Sequence, residues 1–348
     1  MSWRGDARRP ARSRARGFEL GKRWAFCLAL FLAFLACACT TTLDAGHNRR
    51  GLLPVDQRNP VILYQDDWSG DWLGEYAVLF AAHGGPPLAG IIVNASSIWT
   101  DLNINASGWK DLVTAAQASG LENVPPVTPS AGPPLVRPAD GQIDLTTGNG
   151  SAGAHLIVDR SLQLGTPERP LVVVSGTSLT DVADAYLLDH SVVDRVVVVA
   201  ALGSYVAPNG IMSGPNGDMD PWADWIVAQK LRYIQISAYY DQSADVPASK
   251  LASLPNNALG ARIRTKQPNI IPITTAADQV ALLAVALPAF VVAVQGVSPD
   301  VAAGFDTTQG PRLLPDARGK DLVVTTIDMK LAASSFWDML LDPRTFAP

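Results

Sequence analysis

The sequence predicts a single doubly wound α/β domain, with a mostly parallel, Rossmann-like central sheet flanked by helices. Three observations carry this. From residue 60 onward, short apolar runs alternate with helix-length amphipathic stretches, the pattern of successive βα units. Several runs, such as 171–174 and the one within 195–202, are almost wholly apolar, as expected of parallel strands buried on both faces. Neither a break in composition nor an internal repeat divides the body, so 348 residues that are 48% hydrophobic and 17% charged read as one large domain.

The first unit organises the rest. Val61-Ile-Leu is a short apolar strand that ends in a loop carrying Asp66, Asp67 and Asp71, and residues 72–82 follow with a helical pattern. Open α/β sheets place their ligand sites at the C-terminal ends of strands. Ionised carboxylates that close together repel one another unless a cation or protons intervene, so the loop points to Ca²⁺ or Mg²⁺; a solvated acidic turn is the plainer alternative.

After the breaker cluster His83-Gly-Gly-Pro-Pro87, residues 88–93 read as a second strand ending in Asn94. A helix is expected over 105–119, with Ala106, Trp109, Leu112, Val113 and Ala116 on one face. A short strand over 124–127 leads into a Pro- and Gly-rich loop reaching Gly150. Then come a helix over 151–164, the strand 171–174 ending in Ser175-Gly176-Thr177-Ser178, and a helix over 179–188 with Thr180 or Ser178 as its N-cap. Beyond the strand in 195–202 and a long loop to Pro221, the pattern gives a helix over 222–231, a strand over 233–238, an apolar helix over 276–292 interrupted by Pro288, a strand over 322–327 and a closing helix over 329–341.

The N-terminus differs from the body. Residues 1–39 hold eight Lys/Arg against two Asp/Glu, whereas the remainder holds 19 basic and 30 acidic residues. An acidic body argues against nucleic acid as a partner and is compatible with a divalent cation. Arg4 to Arg23 forms a basic region and residues 24–39 an apolar run too short for a comfortable transmembrane helix, so residues 1–39 read as an export signal. All three cysteines, Cys27, Cys37 and Cys39, lie within it, leaving the body without a disulfide framework. Leu35-Ala36-Cys37-Ala38-Cys39 resembles a bacterial lipoprotein cleavage box, which implies a membrane anchor through lipid on Cys39, or on Cys37, and a place at the bacterial cell envelope. Residues 40–59 then read as a polar tether and 60–348 as the folded domain.

The order of motifs resembles the nucleoside hydrolase family, of the inosine- and uridine-preferring type, over most of residues 60–345. That family opens with a strand and an acidic loop of the form D-x-D-P-G-x-D-D. Pro87-Leu-Ala-Gly-Ile-Ile-Val-Asn94 is similar to its second strand, and Asn105-Ala with Val124-Pro-Pro-Val to its "N-A … V-P-V" segment. Pro170-Leu-Val-Val-Val-Ser-Gly-Thr-Ser-Leu-Thr-Asp181 resembles its "P-I-x-L-V-x-T-G-P-L-T-N" turn, Asn216 with Asp220-Pro221 its "N-x-x-x-D-P", and Ala277-Asp278 its late "H-D". Against the pattern, Tyr64 stands for the first Asp, Asp67 for the proline, Gly70 for the penultimate Asp, Gly214 for an acidic residue and Ala277 for the His.

The resemblance implies hydrolysis of the N-glycosidic bond of a ribonucleoside or related riboside, with bound Ca²⁺. Its ligands would be Asp66, Asp71 and Asp278 with a backbone carbonyl at Ser175 or Thr177; Glu75 could replace Asp71 if the loop is longer. Asp66 would be the general base, while Asn94, Asn216 and Asp278 would hold the ribose. No acid for the leaving group is legible; Tyr239 or Tyr240 could lie near the base, and Trp68, Trp72, Trp222 and Trp225 are the aromatics that could stack on it. The family often forms dimers or tetramers, which makes a homo-oligomer an expectation. The replaced acids support a second class of function, a non-catalytic ligand-binding or interaction lipoprotein that keeps the fold.

Overall fold

The computed structural model describes residues 51–70, 72–206, 210–213, 215–237, 251–266, 278–307 and 310–342. The signal segment with Cys37 and Cys39, as well as Asp71, Gly214, Tyr239, Tyr240 and Ala277, lies outside the described residues. Among those described, no helix is long and apolar enough to cross a membrane.

Among the described residues ten strands form one sheet: β1 (Val61–Gln65), β2 (Leu88–Val93), β3 (Val127–Pro129), β4 (Leu171–Ser175), β5 (Val196–Val206), β6 (Gly210–Ser213), β7 (Arg232–Ser237), β8 (Val291–Pro299), β9 (Leu313–Pro315) and β10 (Asp321–Ile327). Their order is β3-β2-β1-β4-β5-β7-β10-β8-β9, with β6 paired to β5. The pairs from β3 to β10 along this order are parallel, whereas β8 and β9 continue the sheet antiparallel. The α-helices among the described residues are α1 (Leu73–Ala82), α2 (Leu102–Ala118), α3 (Ala152–Leu164), α4 (Thr180–Leu188), α5 (Val192–Arg195), α6 (Pro215–Asp218), α7 (Pro221–Lys230), α8 (Ala258–Lys266), α9 (Gln279–Ala286) and α10 (Met329–Leu340).

The core lies in two layers, because successive strand side chains point to opposite faces. Val61 and Leu63 of β1 pack with α1, α2, α9 and α10; Ile62 and Tyr64 pack with α3, α4 and α7. From β1 the chain runs outward through β2 to β3, then returns and runs the other way through β4, β5 and β7. Strand order therefore reverses between β1 and β4, and the crevice at their C-terminal ends is where a doubly wound sheet binds ligand.

Several expectations shift for local reasons. The tether does not extend to Asn59: Leu53, Val55 and Asn59 are buried, and Asn59 Nδ2 donates to the Pro170 carbonyl at 2.8 Å. Helix α2 starts three residues early because the Asp101 side chain accepts from the Asn103 and Ile104 N–H groups. Strand β3 starts at Val127 rather than Val124, since Pro125 and Pro126 have no N–H to give a ladder. The apolar stretch read as a helix to Val292 ends as a helix at Ala286; Pro288 opens a short 3₁₀ turn and Val291 begins β8.

Candidate functional site

The acidic loop leaves β1 at the reversal point. Asp67, which replaces the family's proline, shapes it: Oδ1 accepts from the Ser69 N–H at 2.8 Å, and Oδ2 from the Gly70 N–H. This Asx turn supplies by hydrogen bonds the rigidity that a proline ring would supply covalently. Ser69 is held at φ 62°, the left-handed region that non-glycine residues seldom adopt. Helix α2 clamps the loop from one side through residues at helical spacing. Asn105 Nδ2 donates to the carbonyls of Asp66, Asn94 (3.1 Å) and Trp99 (3.0 Å), and Trp109 Nε1 donates to the Asp67 carbonyl at 3.0 Å. Gly108 between them lies against the Trp68 carbonyl, where any Cβ would collide.

Asp66 follows the last residue of β1 and is buried, with Oδ2 lacking a hydrogen-bond partner among the described residues. Burial pushes its carboxyl up to about 6, with hydrogen bonds from Ser96 and Thr177 opposing and the charge of Asp67 reinforcing the rise. Asp278 arrives from far along the chain, immediately before α9. It does not cap that helix through its side chain; Oδ2 instead accepts from Gln65 Nε2 at 2.6 Å, and Oδ1 from Asn216 Nδ2 at 3.1 Å. Desolvation raises Asp278 well above the usual carboxylate range, and the nearby Asp66 and Asp67 raise it further. Asn216, on α6, also donates to the Ala201 carbonyl at 2.9 Å, so β5 and Asp278 are joined through one amide.

Ser175 ends β4, paired with Tyr64 of β1, and its Oγ donates to the Thr177 carbonyl at 2.9 Å. Gly176 runs so close to Asp278 that a side chain is excluded. Asn94, after β2, is buried and uses both side-chain polar atoms inside the protein: Nδ2 donates to Tyr64 Oη at 2.9 Å and Oδ1 accepts from Thr177 Oγ1 at 3.4 Å.

The fold thus gathers Asp66, Asp278, Asn216, Asn94 and Ser175 at the strand ends. Glu75 is not with them. It is fully buried, with Oε1 2.5 Å from Arg262 Nη1 and 2.9 Å from Lys266 Nζ, an ion triad that ties α1 to α8. Burial pushes its carboxyl up, but Lys266 and Arg262 outweigh this and hold it below its ordinary value. Trp72, Trp222 and Trp225 are buried packing residues, Trp72 against Phe336 and the other two against Phe305. Gln65 is a site residue that motif reading passed over; its signal was an amide at the end of a wholly buried strand.

Among the described residues no cluster of three His, Cys, Asp or Glu side chains forms a ready metal cage. The residues that are present suit a hard cation in part. Asp66 has a buried oxygen without a hydrogen-bond partner among the described residues, and burial drives both carboxyls toward neutrality, with the charge of Asp67 adding to the rise at Asp66 and those of Asp66 and Asp67 to the rise at Asp278.

No protein-family model and no curated protein matches the sequence. Solved structures do resemble the fold. A purine-preferring ribonucleoside hydrolase from Gardnerella vaginalis superposes with a TM-score of 0.56 at 16% identity, covering 83% of this chain and 100% of that one. An inosine-uridine preferring nucleoside hydrolase from Bacillus anthracis gives 0.56 at 13% identity, covering 82% and 99%. A nucleoside hydrolase-related hypothetical protein from Saccharophagus degradans, associated with carbohydrate metabolism, gives 0.53 at 16% identity, covering 83% and 72%. The chain has the α/β fold of the nucleoside hydrolases, in a divergent form.

Proposed function

We propose that the protein is a calcium-dependent hydrolase of the N-glycosidic bond of ribonucleosides or a related riboside. The observation that carries this reading is Asp66, whose buried, unpartnered Oδ2 stands at the strand-order reversal of a nucleoside hydrolase fold. Asp66 and Asp278, with Asp71 and the Ser175 carbonyl, are the residues that would hold Ca²⁺. When bound, the ion supplies the positive charge that keeps the two buried carboxylates ionised and orients sugar hydroxyls.

Asp66 acts as the general base: Oδ2 takes a proton from the attacking water as that water's oxygen bonds to the anomeric carbon. The C–N bond breaks with its electron pair leaving on the base, through a sugar with oxocarbenium character. Asn216 and Asp278 present an amide and a carboxylate, already fixed against each other, to the ribose. Asp66→Asn keeps the size of the side chain and removes the proton acceptor, so kcat should fall about 10²–10⁴-fold. The check is nucleobase release from a panel of nucleosides, together with divalent-metal content. Unchanged turnover in the variant, or no thermal shift with added Ca²⁺, would sink the reading.

The alternative is a ligand-binding or interaction protein that retains the fold without catalysis, and one observation favours it. Tyr64 replaces an acid and draws Asn94 into an internal network, away from a sugar. The same panel decides: binding without base release supports this alternative.

We also propose that the chain is an exported lipoprotein of the bacterial cell envelope, lipidated at Cys39 or Cys37. The basic region, apolar run and cysteine box of residues 1–39 support this. Mass spectrometry of the mature N-terminus should find a diacylglycerol adduct on one of these cysteines; an unmodified cysteine with the preceding residues retained would refute it.

A further inference from the structure

Gln65 closes β1 and is fully buried, in a strand whose other residues are apolar or aromatic. A buried amide needs partners for its N–H and its C=O alike, and this one finds them on two acids. Its Oε1 accepts from the Asp66 N–H at 3.1 Å, and its Nε2 donates to Asp278 Oδ2 at 2.6 Å. Only one orientation of the amide satisfies both, because a backbone N–H needs an acceptor and a carboxylate needs a donor. The Gln65 carbonyl also accepts from the Asn94 N–H at 2.9 Å. One residue thus meets Asp66, Asn94 and Asp278, the last of them 213 positions away.

Asp278 is held from β1, from α6 and from the turn after β4. Gln65 binds one carboxylate oxygen; Asn216 Nδ2 binds the other at 3.1 Å and also serves the Ala201 carbonyl. Gly176 leaves no room on the β4 side, since even a methyl group there would collide with Asp278. Each carboxylate oxygen has two acceptor positions, so one remains on each beyond those the amides fill. The Asp66 main chain is held in a similar way: its N–H goes to Gln65, and its carbonyl accepts from Asn105 Nδ2. An apolar side chain in place of Gln65 would remove the bond to the Asp66 N–H and the bond to Asp278 together.

We propose that Gln65 is a positioning residue: its amide fixes the Asp278 carboxylate against the Asp66 main chain, and so sets the gap between the two acids that would hold the cation. The inference rests on the riboside hydrolase reading for its kinetic and metal-binding consequences, but not for its structural one.

The test is Gln65→Met in the full chain, beside Asn59→Ala. Methionine matches glutamine in length and flexibility and makes neither bond, so the space stays filled while the amide is lost. Asn59 is a buried amide near the opposite end of β1, bonded to the Pro170 carbonyl. Its variant should melt below wild type yet keep the wild-type kcat and Ca²⁺ dissociation constant. Gln65→Met should lower kcat about 10–100-fold and raise the Ca²⁺ dissociation constant, read by titration calorimetry, by about as much. Wild-type values of both in Gln65→Met, or equal losses in Asn59→Ala, would overturn the proposal. If Gln65→Met does not fold, Gln65→Asn carries the same expectations, because its amide is one methylene too short to span the two acids. If wild type releases no base or binds no Ca²⁺, the hydrolase reading fails by itself, and crystal structures grown in EDTA decide. An Asp278 carboxylate displaced by about an ångström or more in Gln65→Met supports positioning, and one that has not moved refutes it.

Discussion

At Gly176 a methyl group would lie 2.2 Å from Asp278 Cβ, 2.4 Å from its Cγ and 2.7 Å from its Oδ2. Neither side can yield easily, because Asp278 is held by Gln65 and Asn216, and the Gly176 N–H donates to the Tyr64 carbonyl at 3.0 Å. Gly176→Ala should therefore move the Asp278 carboxylate by about an ångström, a displacement that can cost about 10²-fold in rate. The readouts are kcat/KM and the Ca²⁺-dependent thermal shift; wild-type values for both would remove Asp278 from the site. Residue by residue, the sequence exposed what carries charge. Asp66 stands out as an acid in the loop after an apolar strand, whereas Asn216 and Asp278 are legible only through the resemblance in motif order. Gln65 does not stand out, because an amide ending a β-strand reads as an ordinary interior residue until its partner, 213 positions away, is known, and Tyr64 is legible only as a departure from the family pattern, not by its bond to Asn94. Asp67 misleads in the opposite sense: it looks like a ligand, and its two oxygens serve the Ser69 and Gly70 N–H groups.

At the scale of elements, the parallel strands were legible because a strand buried on both faces is apolar throughout, and β2 falls on its expected residues. Ser151 and Asp220 cap α3 and α7 by bonding their first turns, but the capping expected of Ser178 or Thr180 at α4 is not found: Leu179 holds that position without a side-chain bond. Strand β8 was hidden because an apolar run alone does not separate helix from strand; Pro288 was the boundary, and the antiparallel pairing of β8 with β10 is a long-range fact. Helix α8 was missed for a related reason. Its sequence, ALGARIRTK, has little apolar periodicity, and it is fixed instead by Arg262 and Lys266 meeting the buried Glu75. That triad joins two helices 187 and 191 residues apart in sequence, which no local pattern announces.

Across the whole molecule, an acidic body has placed several carboxyls where burial opposes ionisation. Asp66 and Asp181 are pushed up to about 6 and Asp321 to about 7, chiefly by desolvation; Asp278 and Asp224 move in the same direction. A carboxyl whose pKa is higher in the folded state binds its proton more tightly there. Its contribution to stability is thus fully present below the unfolded value near 4 and is lost as pH rises through the folded value. For Asp321, moved from 3.8 to about 7, the loss is at most about 4 kcal/mol. Glu75, held below its ordinary value, works in the opposite sense but only in more acidic solution. Between pH 5 and 8 the raised groups therefore dominate, and the protein in EDTA should melt several degrees higher at pH 5 than at pH 8. Ca²⁺ held by Asp66 and Asp278 would favour their ionised forms, so its stabilising shift should be largest at pH 8 and shrink toward pH 5 as protons compete. Asp321→Asn should flatten the EDTA profile and leave the Ca²⁺ shift unchanged, because Asp321 bonds the Tyr233 N–H at the start of β10, the opposite end of the sheet from the acidic loop. Differential scanning calorimetry at the two pH values, with EDTA and with Ca²⁺, measures all three. A Ca²⁺ shift that does not grow with pH would separate the buried carboxylates from the metal.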